Sequence, residues 1–355
     1  ATFTRPTPAY LSNGTQVAEN IPRFEQGKFG KAIMVEEGTT NLLTVNQSSV
    51  ETDLTGLAIG TGSASLSRDT STAWHGIASA KATASANGNI SIRTSRISIT
   101  ANNVYTASVY AKASVSRGGV LALWWVDSNN AVIYDAPDPS NKNITITTSW
   151  QRFIISGTAP SNAASCWVEL YYTADAGDAL WWDGAQLEQK PYATSFIDGT
   201  RAAETLTIPT AGVLNSGAFT VEMWIKQSIV TNSAFAHCKC LLDLGSGLWL
   251  WNFSPAWPDP QNGNRRIIAE FGNGASGVRQ YLDLVSSTPF STTNFEYFAV
   301  TFDGATFRFY RNGVLWGSNT PSKINSFTQI VLGDAGWIID DLRISNKARS
   351  DEEIL

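Results

Sequence analysis

The stretch "DALWWDGAQLEQKPYATSFIDGTRAAETLTIP", residues 178–209, decides how the chain divides. Twin tryptophans and an aspartate close a strand-like run, and a polar tail with a proline and a glycine follows. On its N-terminal side stand "ISIRTSRISIT", "VYTASVYAKAS", "VLALWWVDS", "NITITT", "SWQRFIISGT" and "CWVELYYTAD". These runs are rich in β-branched and aromatic residues and are separated by Gly, Asn, Asp, Ser or Pro. On its C-terminal side the rhythm restarts with "AFTVEMWIK", "RRIIAEFG", "FEYFAVTFDG", "TFRFYRNGVLWG" and "WIIDDLRI". Short strands at regular intervals with turn chemistry between them indicate a sandwich or jelly roll. The polar link at about 188–204 therefore reads as a seam. The expected architecture is all-β: two β-sandwich (jelly-roll) domains in tandem, 41–198 and 199–355, behind a short irregular lead-in, 1–40. Only the end, "SNKARSDEEIL", reads as helical, with Ser350 as cap and acids in the first turn.

The bulk numbers agree with two domains: 355 residues exceed what one small core needs. Charged residues make up 15% and the formal net charge is −5, so no basic surface awaits nucleic acid or anionic lipid. No apolar run approaches the roughly 20 residues of a membrane helix, so no membrane insertion is expected. The polar, turn-rich start is unlike a signal peptide and lacks a methionine, as a fragment or processed product would. Three cysteines, with Cys238 and Cys240 one residue apart, do not suggest a disulfide framework. "AHCKC" offers His237 and two thiols, but a structural zinc site takes four ligands at wider spacing.

Alternation assigns faces. In "VYTASVYAKAS", Tyr105, Ala107, Val109 and Ala111 point to the core, and Thr106, Ser108, Tyr110 and Lys112 point away. In "CWVELYYT", Val168, Leu170 and Tyr172 share one face, and Trp167, Glu169 and Tyr171 the other. An aromatic-plus-polar outer face reads as a solvent face or a binding face. A pyranose presents C–H groups that stack on an aromatic ring and a rim of hydroxyls for polar side chains. The candidate carbohydrate-binding residues are Tyr110, Lys112, Trp167, Glu169, Tyr171 and one of Trp124 and Trp125, which cannot share a face. Trp150, at the start of a strand, reads as a buried ring. In "GLWLWNFSPAWPDPQNGNRR", Trp249, Trp251 and Phe253 share a face that suits a core or an intermolecular contact. Trp257, flanked by prolines, is the candidate exposed ring. Such a patch suits a subunit interface equally well.

Two segments carry a family resemblance. "VEEGTTNLL" (35–43) and "QLEQKPYATSFIDGTRAAETLTIP" resemble a pair that brackets a β-sandwich module in bacteriophage and prophage tail proteins, a module similar to jelly-roll carbohydrate-binding modules. "FTR", "NGTQVAENIPRF" and "GKAIMVEE" resemble the usual lead-in. "FTVEMWIK", "YFAVTFDGATFRFYRNGVLWG" and "IIDDLRISNKARSDEEI" are similar to laminin-G-like domains of the concanavalin A-like type. The resemblance implies a non-catalytic virion protein of the tail, acting at the host cell surface. Its implied partners are a cell-surface glycan and other virion or tail proteins, and homotrimers are frequent among tail appendages. The alternatives are a purely structural virion component and a carbohydrate-binding module from a bacterial glycoside hydrolase.

The resemblance also implies calcium as a structural cofactor. Asp183 in "WWDGAQLE" stands at the place of a jelly-roll aspartate that frequently sits at a calcium site, although Gly184 replaces the usual second acid. Asp340 and Asp341 in "IIDDLRI" match the acidic pair of the laminin-G-like motif. Calcium takes six to eight oxygens, so loop carbonyls would complete either site. The competing reading of Asp183 is a cap on a neighbouring strand's backbone.

No enzyme is expected. Glucanases on the concanavalin A-like fold need two carboxylates facing one cleft, and the strand signature Glu-x-Asp-x-x-Glu is absent. No G-x-S-x-G occurs, and His75 and His237 are the only histidines. "GNGASG" (272–277) matches G-x-G-x-x-G but lies between strand-like runs, so it reads as a hairpin turn.

Overall fold

The strand-turn rhythm of the sequence becomes two antiparallel β-sandwiches. The computed structural model describes residues 1–134, 141–210, 214, 217–227, 239–244, 248–253, 266–271, 280–285, 290–321, 329–333 and 336–354. The first sandwich comprises Ala9–Gln16 and Thr39–Arg201; the second comprises Ala1–Pro8, Val17–Gly38 and Ala202–Leu355.

In the first sandwich, one sheet runs in the order Asn141–Ile146, Arg117–Asp127, Ala163–Ala174, Gly88–Thr94, Leu57–Ile59, with the short Ile97–Ser98 strand also paired to Ala163–Ala174. The other runs Gln151–Thr158, Val104–Ala113, Ala179–Glu188, Ser79–Ala84, Ala64–Asp69. Side chains of alternate residues meet between them. Tyr105, Ala107, Val109 and Ala111 are buried with Leu121, Leu123, Trp125, Val168, Leu170, Tyr172 and Trp182. Cys166 is a buried free thiol in the same core, its pKa raised to about 12 by burial.

The bracket motifs form a clasp on this sandwich. Asn41 donates from its amide to the carbonyls of Ala185 and Ile197, while its carbonyl accepts from the amides of Leu43 and Leu187. Glu188 accepts from the Thr39 hydroxyl and from both the amide and hydroxyl of Thr194. Gln186 accepts from the Ile197 amide. A single-turn helix, Val45–Ser48, follows, closed by a capping box between Thr44 and Gln47. Buried polar side chains persist here because each has its partners.

The second sandwich packs two seven-stranded sheets. One runs Thr2–Thr4, Thr205–Pro209, Gln329–Gly333, Lys239–Asp243, Leu248–Phe253, Arg266–Phe271, Gln280–Val285. The other runs Val314–Asn319, Phe307–Arg311, Glu296–Phe302, Phe219–Gln227, Trp337–Ser345, Lys31–Val35, Arg23–Gln26. Its core gathers Phe219, Val221, Met223 and Ile225, the alternate residues of "FTVEMWIK", with Phe298, Val300, Phe302, Phe307, Phe309, Trp337 and Val35.

Residues 1–40 are therefore not a separate lead-in. Thr2–Thr4 pairs with Thr205–Pro209, and the Arg23–Gln26 and Lys31–Val35 hairpin extends the sheet from Trp337–Ser345. Four buried charges fix these segments. Arg5 binds Glu204 at 2.8 Å and also donates to the carbonyls of Thr7, Val17 and Ala18. Arg23 bridges Glu36 and Glu204, and the Glu36 amide donates to Glu204. Each is at most 1% exposed, and the two carboxylates raise the Arg23 pKa against the opposing effect of burial.

The expected C-terminal helix is a single turn. The Glu353 and Ile354 amides donate to the Ser350 carbonyl, and the Glu353 carboxylate accepts from the Ser350 amide. The turn serves to bury Ile354 against Tyr297, Ala299 and Tyr310. Among the described residues no helix is long and apolar enough to cross a membrane.

Candidate functional site

The outer face of the sheet containing Arg117–Asp127 and Ala163–Ala174 carries the richest chemistry. Residues opposite one another on neighbouring strands share a face, and the register sets Trp124 against Trp167, Ala122 against Glu169, and Val120 against Tyr171. On the other flank, Arg93 lies opposite Glu169 and Ser91 opposite Tyr171. The Trp124 and Trp167 rings stack with centroids 6.0 Å apart. Tyr134, 79% exposed, meets Trp124 edge-on at 6.2 Å.

Glu169 is the buried pivot of this face, at 3% exposure. It accepts from the Ser91 hydroxyl at 2.6 Å and from the Trp167 indole at 2.9 Å. Burial, then the Glu169 charge, pushes the Tyr171 phenol up to about 12. Gly60 leaves the room that Glu169 occupies, since a Cβ there would fall 2.1 Å from its Oε1. Glu169 thus orients the ring of Trp167 instead of meeting a ligand itself. Two hollows open on the face. One of about 470 Å³ is bordered by Trp124, Tyr171, Asn89, Asn141, Asn143 and Thr173. The other, about 260 Å³, is bordered by Trp167, Arg93 and Arg96 among others. The larger falls within the usual range of small-ligand sites, about 300–1,000 Å³. Rings beside amide and hydroxyl side chains match what a pyranose offers.

The expected site residues do not form one face. Trp124, Trp167, Glu169 and Tyr171 come together as described. Trp125 is fully buried in the core with Tyr105, which resolves the choice between the neighbouring tryptophans. Tyr110 and Lys112 lie on the other sheet of the sandwich. The Tyr110 ring is covered by Trp74, stacked at 3.5 Å and 8°, in a small satellite core with Tyr10, Phe196 and Ile197. Lys112 lies between Trp150 and Trp181, 5.6 and 4.9 Å from their centroids, and Trp150 is half-buried where a buried ring was expected. Trp257, His237, Cys238 and "GNGASG" lie outside the described residues, as do the side chains of Cys240, Trp249, Trp251 and Phe253. Tyr134, Arg93 and Arg96 were not anticipated: "ISIRTSR" reads as an ordinary alternating strand, and Tyr134 follows the strand end. The exposed aromatic itself was the available signal.

The three acids proposed for calcium do not fit it. Asp183 is fully buried, and its oxygens accept from the amides of Trp74, His75 and Gly184 at 2.7, 2.9 and 2.7 Å. Burial raises its pKa well above the ordinary carboxylate value, against those amides. It fixes the loop that lays Trp74 on Tyr110. Gly184 is required there: its φ is +52°, and a Cβ would fall 2.5 Å from the Trp74 ring. Asp340 accepts from the Phe29 amide at 2.7 Å, and Asp341 is paired with Arg343 through both oxygens. Among the described residues no group of three or more His, Cys, Asp or Glu is arranged to hold a metal ion.

Residues 198–355 match the family model described as the concanavalin A-like lectin/glucanases superfamily. No curated protein sequence matches the chain. Among solved structures, it is similar to the xylan-binding CBM22-1 domain of Paenibacillus barcinonensis Xyn10C, at 21% identity over 43% of this chain and 97% of that one, TM-score 0.34. It is similar to the binding domain of paraclostridial mosquitocidal protein 1, at 11% identity over 43% of this chain, TM-score 0.31. It is also similar to the enzymatically active domain of bacteriophage CBA120 tailspike protein 4, at 11% identity over 44% of this chain, TM-score 0.35. The chain spans 42% of the mosquitocidal domain and 22% of the tailspike domain.

Proposed function

We propose that the chain is a non-catalytic carbohydrate-binding protein whose site is the outer face around Trp124. The observation that carries this reading is Trp124, which borders a polar-rimmed hollow of about 470 Å³ on one side and meets the exposed Tyr134 ring edge-on. Glu169 supports it by holding Trp167, on which Trp124 rests, in one orientation. The match of residues 198–355 to a superfamily of lectins and glucanases supports a carbohydrate setting for the chain as a whole. We further propose that it acts on a phage or prophage tail at the host surface, on the strength of the bracketing segments at 35–43 and 186–209. The binding reading is tested by retention on immobilised polysaccharides. Wild type is expected to be retarded and Trp124→Ala to elute with the void. Equal migration of both proteins on every polysaccharide would overturn the reading. The tail setting is tested by mass spectrometry of purified virions, which would have to contain the chain.

A further inference from the structure

We infer that the smaller hollow selects a sugar bearing a carboxylate, so that the ligand is an acidic glycan. This rests on the reading that the face binds carbohydrate. The hollow is walled by the Trp167 ring, and two guanidiniums lie beside that ring, Arg93 at 5.6 Å and Arg96 at 5.9 Å from its centroid. None of the residues bordering it is acidic. This is a local excess of positive charge on a chain whose formal net charge is −5.

The internal claims on these two arginines differ. Arg96 donates to the side chain and the backbone carbonyl of Asn130, which fixes its position at the rim. Arg93 stands directly opposite Glu169 in the register, yet that carboxylate is committed to Ser91 and Trp167. Among the described residues no ion pair joins Arg93 to Glu169. A half-buried guanidinium facing a hollow has five donors in a fork that matches a carboxylate's two oxygens. Its planar cation also tolerates the indole face beside it. A uronic or sialic acid residue offers both features, a carboxylate for the fork and a C–H surface for the ring. A neutral neighbouring residue would lie in the larger hollow by Trp124.

The test is calorimetric titration of the intact chain with pairs of oligosaccharides that differ only in carboxyl reduction of their uronic acid. The expected result is binding of the acidic member at least about tenfold tighter, the scale of one charged hydrogen-bonded contact. Arg93→Gln is expected to remove that preference, so that the two members bind with equal affinity. Arg93→Lys is expected to recover only part of it, because the charge returns without the fork. Equal affinity for both members would overturn the carboxylate inference and leave the carbohydrate reading standing. No binding of either member, and none of any neutral glycan, by a protein with a wild-type melting transition would overturn both.

Discussion

Trp124 and Trp125 are neighbours on opposite faces, and one residue of alternation separates the ring proposed to bind glycan from a core ring. Trp125→Ala removes a fully buried indole and is expected to cost about 3–5 kcal/mol in urea unfolding. Trp124→Ala is expected to cost much less stability but to weaken glycan binding at least about tenfold. Gly184→Ala is expected to destabilise by about 1–3 kcal/mol, since it meets both a left-handed φ and the stacked Trp74–Tyr110 pair. A pH effect belongs to Asp69, which the Ser71 hydroxyl and then the Trp181 indole hold at about 2, below its ordinary 3.8. A depressed folded-state value contributes stability that is complete above the ordinary value and is lost as pH falls through the folded one. Asp69→Asn should thus be less stable than wild type at neutral pH, and the gap should close between pH 3.8 and 2 in urea titrations. The sequence revealed the outer face of Trp167, Glu169 and Tyr171 because alternation is local. It misassigned Tyr110, because the Trp74 and Phe196 rings that cover it come from distant parts of the chain.

At the scale of elements, the N-terminal strands are the main departure from the sequence reading. The Lys31–Val35 strand meets Trp337–Ser345 roughly three hundred residues away, and Thr2–Thr4 meets Thr205–Pro209 about two hundred away, beyond the reach of any periodicity. The charges that fix them were visible only as parts of a resemblance: Arg5 in "FTR", Arg23 in "IPRF", Glu36 in "VEE" and Glu204 in "RAAE". Removing one partner strands the others, so Glu204→Ala is expected to cost about 3–5 kcal/mol and to show as a lowered urea midpoint. A fragment of residues 202–355 alone lacks three strands and the Val35 contribution to its core. It is expected to give no cooperative melting transition, whereas addition of a 1–38 peptide should restore one. The C-terminal turn shows the reverse case: Ser350 opens it through its backbone carbonyl and amide, Glu353 reaches back to that amide, and one turn is all that follows.

Across the whole molecule, the chain passes between the two sandwiches after Pro8, Gln16, Gly38 and Arg201. Cleavage between Arg201 and Ala202 therefore should not release an independent C-terminal domain. The two pieces are expected to co-elute in size-exclusion chromatography and to separate only in denaturant, because residues 1–8 and 17–38 remain paired with 202–355. Calcium is expected to leave both the melting temperature and glycan binding unchanged, since Asp183, Asp340 and Asp341 are committed to amides and a guanidinium. Recognition of carbohydrate by the face around Trp124 is tested by a glycan array with wild type and Trp124→Ala side by side. Wild type is expected to bind a restricted set of glycans, and the variant, folded with a cooperative melting transition, to lose them. Binding retained by Trp124→Ala, or a blank array for a folded wild type, would contradict it.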